Sequence, residues 1–391
     1  MLTRRLAAFL TSLVVTLPLL ASPLEKSMRE VEHLRGLAFL HDVDTIALNR
    51  DVLPSILRKQ MEKGLPYSWD DYIVVLRALH LVDPSTKDVQ GKLIDLLEQQ
   101  VLAFYDPDAH VYYSIRQPPK GLPEMPKEMS FDDAVAAHEL THALQDQHFD
   151  LGKRDRALRD DTDAGMALHS VAEGEATLVM LGKMSEPMGM TIDQIAKNDM
   201  MLNAMSSASV AMSGTGDTPR YFVESLTFPY VAGLKFVVAA YRKGGWNAVN
   251  HIYDSPPQST REILHPDEYF AGKRTANAFD DHPPLPLRSH LLSVEHHGEF
   301  HWGFLAGAAH ATGWKGDRVT IAQNERCDPT VLVETKWDTP RQAIDFRNAY
   351  EAFLEQEKVD AQFATRGNET DVAYGADDAL IDRFITRFIT R

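Results

Sequence analysis

The chain has 391 residues, of which 44% are hydrophobic and 25% are charged, a composition typical of two or three globular domains or one large enzyme. Its formal net charge is −16 and no basic stripe with interleaved aromatic residues occurs, which excludes nucleic acid from the expected partners. The single cysteine, Cys327, excludes an internal disulfide bond. Core packing or a metal must therefore stabilise the fold.

The N-terminal residues 1–22 are predicted to be a signal peptide. Arg4 and Arg5 precede an apolar stretch over 6–20 that is short for a membrane span, and Pro18 would break a helix close to a cleavage site. We expect an exported protein, periplasmic or secreted, without a stable membrane span after signal removal. The alternative is an uncleaved N-terminal anchor.

An N-terminal helical region is predicted over 23–104. Apolar residues recur there at helical spacing, beginning with Leu34, Leu37, Leu40 and Val43. The pattern is compatible with a subdomain of the mature protein or with a propeptide, and the sequence does not separate the two.

A catalytic domain is predicted over 105–272. It opens with a strand at 110–115 (HVYYSI), because β-branched and aromatic residues are concentrated there. A proline-rich loop follows, and then Ser130 and Asp133 have the spacing of a capping box that begins a helix. Strand, loop and capped helix form the context in which the next motif is expected.

The capped helix carries the pattern HExxH as His138-Glu139-Leu140-Thr141-His142. Two histidines at i and i+4 share one helix face, so both imidazoles can reach one metal ion. Glu139 then stands beside the metal, where it can act as a general base toward water. The motif predicts a peptidase that hydrolyses peptide bonds with one catalytic Zn²⁺.

Catalytic zinc needs a third protein ligand, for which the sequence offers a histidine and two glutamates. His148 has the metzincin spacing, but that pattern needs a glycine where this chain has Gln145, and in a continuous helix His148 turns away from the metal. Glu173 and Glu175 lie on a second helix, predicted over 162–184. They point about 200° apart, and helical periodicity does not choose between them.

The string HELTHALQD resembles the active-site helix of thermolysin-type peptidases, the gluzincins. The wider chain is similar to a group of poorly characterised exported bacterial gluzincin-like proteins, and the matching elements are Tyr105-Asp106-Pro107, HELTHALQDQHFDL, EGEAT, PPQSTREILHP and GWKGDR. The resemblance implies a zincin-like core with Glu173 as the third ligand. Thr177 stands where thermolysin-type enzymes have an aspartate that orients a ligand histidine. That role is therefore unassigned, and Asp146 or Asp163 could serve.

The same resemblance implies a donor to the oxyanion and an edge strand that binds substrate. Gluzincins use a downstream histidine or tyrosine as the donor, and we expect His265, with Tyr230 as second choice. Zincins pair the substrate backbone with a strand that precedes the active-site helix. The strand at 110–115 is the expected partner for a peptide or protein substrate.

The remaining residues, 273–391, are predicted to form a C-terminal α/β region. It contains the stretch Trp314–Arg318, which we expect to be a folding motif or a turn without a catalytic role, and a strand over 331–334. The repeated Phe-Ile-Thr-Arg at the end is expected to be a frayed amphipathic end. The expected fold class is α+β, predominantly helical, with a small sheet beside the active-site helix. The alternatives to a peptidase are a catalytically silent zincin-fold protein with a binding or chaperone-like role, metal-dependent hydrolysis of another substrate, and a chance HELTH string.

Overall fold

A computed structural model describes residues 23–117, 131–204, 217–275 and 277–390. The predicted signal peptide and the predicted cap Ser130 lie outside these residues. The labelled helices of the described chain are α1 (Pro23–Arg35), α2 (Leu53–Gly64), α3 (Trp69–Ala78), α4 (Val89–Gln100), α5 (Phe131–Phe149), α6 (Leu151–Ala157), α7 (Thr162–Ser185), α8 (Ile192–Ala196), α9 (Arg220–Asp254), α10 (Thr260–Leu264), α11 (Pro266–Phe270), α12 (Gly298–Ala306), α13 (Ala308–Ala311), α14 (Pro340–Gln356) and α15 (Asp378–Thr390).

Two small sheets accompany these helices, which confirms the predicted α+β class. The first sheet contains β1 (Asp44–Leu48), β2 (Ala103–Asp106) and β3 (Val111–Ile115) in the order β1-β3-β2. The second is an antiparallel sheet of β4 (His290–Glu295), β5 (Trp314–Gln323), β6 (Pro329–Trp337), β7 (Ala361–Arg366) and β8 (Glu369–Gly375) in the order β4-β5-β6-β8-β7.

The strand predicted at 110–115 is present as β3, but it is the central strand of its sheet. Parallel β1 pairs with one edge of β3 and antiparallel β2 pairs with the other. Because both edges of β3 already make ladder hydrogen bonds, β3 cannot accept a substrate strand. The prediction that 110–115 binds the substrate backbone is therefore wrong, and the free edge beside the HELTH helix belongs to β2.

Helix α7 is the central helix of the part of the molecule that carries HELTH. It packs against α5 on one side and α9 on the other, and α1 also contacts it. On the core face of α5, Leu140 and Leu144 are fully buried, and burial of each such side chain is worth about 1.5–3 kcal/mol. These contacts fix α5 and α7 side by side.

The N-terminal region is built into this core. Helix α1 ends at Arg35, because Gly36 adopts a left-handed φ of +73°, so the helix predicted to continue through Leu37, Leu40 and Val43 is wrong. The strand β1 from this region completes the first sheet, and the boundary predicted between residues 104 and 105 falls within β2.

The C-terminal region differs from its prediction in two places. Trp314–Arg318, predicted as a folding motif or a turn, is not a turn but the first part of β5, and Trp314 and Asp317 are fully buried there. The predicted frayed end is the ordered helix α15, which buries Phe384 and Phe388 against the second sheet. The repeat spaces these two rings four residues apart, so both face the core.

Among the described residues, one helix is long and apolar enough to cross a membrane by length and composition, namely α9. Half of its most apolar window is buried inside the protein, and Gly244 and Gly245 interrupt its helical geometry. Core helices pass the same test, so α9 carries no conclusion about a membrane.

Candidate metal centre

The two histidines of HELTH meet one turn apart on the cavity side of α5. Their Nε2 atoms lie 3.2 Å apart and the rings are almost perpendicular. Both side chains are largely buried, with 8% of His138 and 13% of His142 exposed. The i, i+4 spacing predicted this arrangement, because the geometry is local to one helix.

Glu173 reaches the same point from α7. Its Oε2 lies 3.0 Å from His138 Nε2 and 3.6 Å from His142 Nε2, and all three ligand atoms lie within 4.8 Å of one another. Glu175 faces the opposite side, where it forms a buried ion pair with Arg35 at 2.5 Å. The structure therefore places Glu173, and not Glu175, with the histidines.

The glycine after Glu173 sets the distance between helices α7 and α9. A Cβ at Gly174 would lie 2.2 Å from the carbonyl group of Gly233, and a Cβ at Gly233 would lie 1.9 Å from the Ser170 carbonyl oxygen. Only glycine at both positions permits this backbone contact. The contact brings the part of α9 that carries Tyr230 next to the metal ligands.

The electrostatics of the cluster fit a bound cation. Burial alone would raise the pKa of Glu173, but the adjacent imidazoles of His142 and His138 pull it well below its usual value. Burial alone would lower the pKa of His142, but the Glu173 carboxylate raises it to about 9. Without a metal the cluster therefore attracts a proton, and a divalent cation would replace that proton. Two imidazole nitrogens and one buried carboxylate oxygen could hold a metal ion.

Gln145 orients His142, one of the two histidines of the cluster. Its Oε1 accepts a hydrogen bond from His142 Nδ1 at 2.8 Å, and its Nε2 donates to the Ala172 carbonyl at 2.9 Å. The amide is thereby fixed as an acceptor toward His142, which places the proton on Nδ1 and the lone pair of Nε2 toward the cluster. Nothing in the sequence around Gln145 indicates this role, because the acceptor carbonyl of Ala172 lies on another helix.

Neither aspartate predicted to orient a histidine ligand does so. Asp146 accepts hydrogen bonds from the Tyr105 hydroxyl, His110 Nδ1 and the Gly152 amide. Asp163 accepts two hydrogen bonds from Thr260. The prediction for both residues is wrong, because their partners lie on segments that spacing along the chain does not reveal.

Glu139 lies beside the histidines and outside the ligand set. Its Oε2 accepts a hydrogen bond at 3.0 Å from the Tyr105 amide, on the free edge of β2. Burial raises the pKa of Glu139, against the opposing influence of His138 and His142. The edge strand β2 and the helix α5 thus fix the half-buried Glu139 carboxylate next to the cluster. This is the position expected of a general base.

His148 stays out of the cluster, as the continuous helix predicted. Helix α5 runs without a break through Gln145 to Phe149, and His148 Nε2 lies 2.7 Å from the Ala38 carbonyl oxygen.

A cavity of about 620 Å³ opens onto the cluster and is lined by His138, Glu139, Glu173 and Tyr230. The Tyr230 ring stacks on that of His138 with centroids 5.9 Å apart. Burial and the charges of Glu173 and Glu139 raise the pKa of Tyr230 well above its usual value.

His265, which was predicted as the donor to the oxyanion, lies outside the cavity at the cluster. It lies between α10 and α11, does not line this cavity and directs Nε2 to Glu299 Oε1 at 2.7 Å. The structure therefore does not support the prediction for His265, and Tyr230, the second choice, occupies the position beside the metal ligands.

His169 is a further cavity residue to which the sequence analysis assigned no role. Its Nε2 lies 3.4 Å from Glu173 Oε1, and about half of the side chain is exposed. The i, i+4 spacing from His169 to Glu173 was the available signal. Three histidines therefore surround the Glu173 carboxylate. Two of them lie on α5 and the third lies on α7.

Comparison with known proteins bears on the other end of the chain. Residues 285–385 match a family described as a domain of unknown function, DUF8575. No curated protein matches the chain, and no solved structure matches it. The matched segment spans β4 to most of α15 and contains none of the metal-cluster residues, so the similarity covers about a quarter of the chain and a part without the candidate site.

Proposed function

We propose that this protein is a zinc-dependent peptidase with a zincin-like catalytic core. The observation that carries the proposal is that His138, His142 and Glu173 converge on one point while Glu139 stands beside them in an open cavity. A chance HELTH string has no reason to meet a buried glutamate from a helix 30 residues further along the chain. This coincidence favours a functional site over a solvated helix face.

His138, His142 and Glu173 would hold the ion. Imidazole and carboxylate donors suit zinc, and three protein ligands leave a fourth position open, as in catalytic zinc sites. Bound zinc supplies Lewis acidity toward the scissile carbonyl and makes water nucleophilic near neutral pH. Gln145 keeps the His142 ring in the orientation that ligation needs.

Glu139 is the proton carrier of the reaction. It accepts a proton from the attacking water and delivers it to the amine that leaves, as its position next to the ligands permits. The Tyr105 amide holds the carboxylate in place through Oε2. Its other oxygen, Oε1, is the proposed atom for proton transfer.

Tyr230 is the proposed donor to the oxyanion. Its ring stacks on that of His138, and the residue lines the same cavity as the cluster. A positioned hydroxyl donor stabilises the negative charge that develops on the carbonyl oxygen.

The substrate is proposed to be a peptide or protein whose backbone extends along the free edge of β2. Ala103 at this edge lines the cavity, and the Tyr105 amide connects the strand directly to Glu139. Main-chain pairing with such an edge binds an extended chain with little regard to its sequence. The apolar stretch at the N-terminus supports the further proposal that the protein acts after export.

The proposal is tested by zinc analysis and peptide hydrolysis on the same preparations. Purified wild type, Glu139→Gln and the control Asp132→Asn, an exposed carboxylate on the same helix, are dialysed, and their zinc content is determined. Cleavage of an unbiased peptide library is followed by mass spectrometry. We expect one zinc per chain in all three, and a rate that falls about 10²–10⁴-fold in Glu139→Gln alone.

Two results would contradict the proposal. Absence of stoichiometric zinc from the wild type would remove the metal site. One bound zinc without cleavage of any library member would favour the alternative, a zincin-fold binding or chaperone-like protein.

A further inference from the structure

One face of α7 connects the metal cluster to a second cavity. Glu173, His169, Met166 and Thr162 follow at intervals of four, three and four residues, so they share one stripe of the helix. Thr162 and Glu173 are eleven residue steps apart, or about 16 Å at 1.5 Å per residue. Thr162, at the far end of the stripe, is the first residue of α7.

The second cavity, of about 380 Å³, shares walls with the metal cavity. Tyr72, Thr162, Met166, His169 and Tyr221 line both. The two cavities therefore adjoin along α7, and the metal-cluster residues lie at the far side of the metal cavity.

A buried carboxylate lies in the wall of the second cavity, away from the metal. Glu295, the last residue of β4, is only 7% exposed. Its Oε1 accepts a hydrogen bond from the Tyr67 hydroxyl, and its Oε2 accepts one from Thr162 Oγ1 at 3.0 Å. Each oxygen has a lone pair left, and within the described residues no lysine, arginine or histidine forms an ion pair with it.

The nearby histidines do not neutralise this carboxylate. Burial lowers the pKa of His297 to about 4 and that of His301 to about 3, so both rings are neutral near pH 7. The Nε2 atom of His297 is buried without a hydrogen-bond partner at the same cavity. A buried and unpaired carboxylate is costly unless a cation joins it.

Three cationic side chains, Lys63, Arg156 and Arg159, also line this cavity, but each has an acidic neighbour. Arg156 pairs with Asp108, and Lys63 lies 3.9 Å from the same carboxylate. Arg159 lies 3.8 Å from Asp160. Asp108 and Asp160 thus offset part of the charge of these cations, whereas no described cation pairs with Glu295.

We propose that the second cavity is a specificity pocket for a lysine or arginine side chain of the substrate, with Glu295 as the residue that selects it. The rings of Tyr67, Tyr72 and Tyr221 would pack along the aliphatic stem and attract the cationic group. The lysine or arginine side chain of the substrate spans part of the roughly 16 Å along α7 between Glu173 and Thr162. The substrate backbone spans the rest, and an extended backbone advances about 3.4 Å per residue. The selected side chain therefore belongs to a residue two to four positions from the scissile bond. This proposal rests on the proposed peptidase function.

The test compares lysine with its uncharged analogue norleucine and with glutamate. Quenched fluorescent peptides carry one of the three residues at each of four positions on either side of the cleavage site. At one position we expect wild type to prefer lysine over norleucine by tenfold or more in kcat/KM. In Glu295→Gln, which keeps the shape of the side chain, this ratio should fall to about one. The control Glu299→Gln replaces a buried carboxylate outside the pocket and should keep the wild-type ratio.

A binding measurement separates failure of the pocket from failure of the peptidase. Fluorescence anisotropy gives the Kd of dye-labelled lysine and norleucine peptides for the metal-free protein, and we expect the same tenfold preference and its loss in Glu295→Gln. If no peptide is cleaved but this preference is found, the pocket stands and the peptidase proposal fails. Equal affinity for both peptides, or a preference for glutamate, overturns the pocket. These wild-type comparisons decide the matter even if Glu295→Gln does not fold.

Discussion

Two buried carboxylates, Asp317 in the C-terminal sheet and Glu173 at the metal cluster, stand in opposite surroundings. Asp317 accepts hydrogen bonds from the amides of His297 and Gly298 and from the indole groups of Trp302 and Trp314, each at 2.8 Å. Four donors satisfy its charge, and the side chain is fully buried.

Glu173 faces imidazoles and an open cavity. Its neighbours are His138, His142 and His169, and no arginine or lysine pairs with it in the described part of the chain. The imidazoles and the Glu173 carboxylate share a proton, and a metal ion that binds the cluster would displace this proton.

The contrast shows that buried carboxylates have two different surroundings in this molecule, one that satisfies their charge and one that leaves it open to a ligand. In the C-terminal sheet, carboxylates join elements of the fold, as when Glu334 pairs with Arg318 and Arg387. Where α5 and α7 meet, Glu173 instead faces two histidines and an open cavity, and we propose that it is held for a ligand. The family match covers the first kind of surroundings only, so function must be argued from the geometry of α5 and α7.

The largest expected effect concerns Glu175. It lies only two residues from Glu173, but it pairs with a cation inside the fold, as the carboxylates of the C-terminal sheet do. Arg35→Met removes its cation and leaves a buried charge, so we expect the free energy of unfolding to fall by about 3–5 kcal/mol. Urea denaturation measures this change. The double variant Arg35→Met/Glu175→Met should recover most of the loss, because an apolar pair of similar volume needs no counter-charge.

Both variants should still bind one zinc per chain wherever they are folded. Zinc loss from a stable Arg35→Met protein would show that the contrast between Glu173 and Glu175 is false. The same experiment bears on the N-terminal region, since a propeptide that is removed would take Arg35 away from the core.

The next effect concerns Gln145, which should matter for metal and little for the fold. Gln145→Leu removes the acceptor for His142 Nδ1, so we expect zinc affinity to fall about 10–100-fold. Competition with a chromophoric chelator measures this affinity. Gln147→Leu is the matched control on the same helix, because Gln147 bonds only to the loop at Leu40 and His41. Equal zinc affinity in the two variants would contradict the role of Gln145.

The smallest effect is a pH dependence at the junction of the two regions. The folded pKa of His301 is about 3, whereas the unfolded value is about 6.5. Below pH 6.5 the unfolded chain therefore binds a proton that the folded protein does not, and stability falls as the pH is lowered from 6.5 toward 3. The slope is about 1.4 kcal/mol per pH unit for this histidine.

Urea denaturation between pH 7 and pH 4.5 tests this slope. His301→Gln should flatten it, and His290→Gln, which changes an exposed histidine of β4, should not. An unchanged slope in His301→Gln would mean that the ring is protonated in the folded protein.

The parts of the site that sequence could predict are those made within one helix. His138 and His142 follow from i, i+4 spacing, and the course of α5 past Gln145 excludes His148. The choice between Glu173 and Glu175 needed the resemblance, because it depends on Arg35, 140 residues away from Glu175.

The wrong predictions concern contacts between distant segments. The strand at 110–115 was predicted to be a peptide-binding edge. It is not one, because β1, more than 60 residues earlier in the chain, pairs with it as β3. His265 was chosen from a local motif, although its partner Glu299 lies 34 residues further on. Tyr230 reaches the metal ligands through the contact of Gly174 with Gly233, which no pattern along the chain reveals.

The central claim is tested most directly by a crystal grown with zinc and measured on both sides of the zinc absorption edge. We predict one strong anomalous peak about 2.0–2.2 Å from His138 Nε2, His142 Nε2 and a Glu173 carboxylate oxygen, with Glu139 outside the coordination shell. A peak bound by other residues, or no peak at this cluster, would contradict the assignment of the metal site and with it the proposed peptidase function.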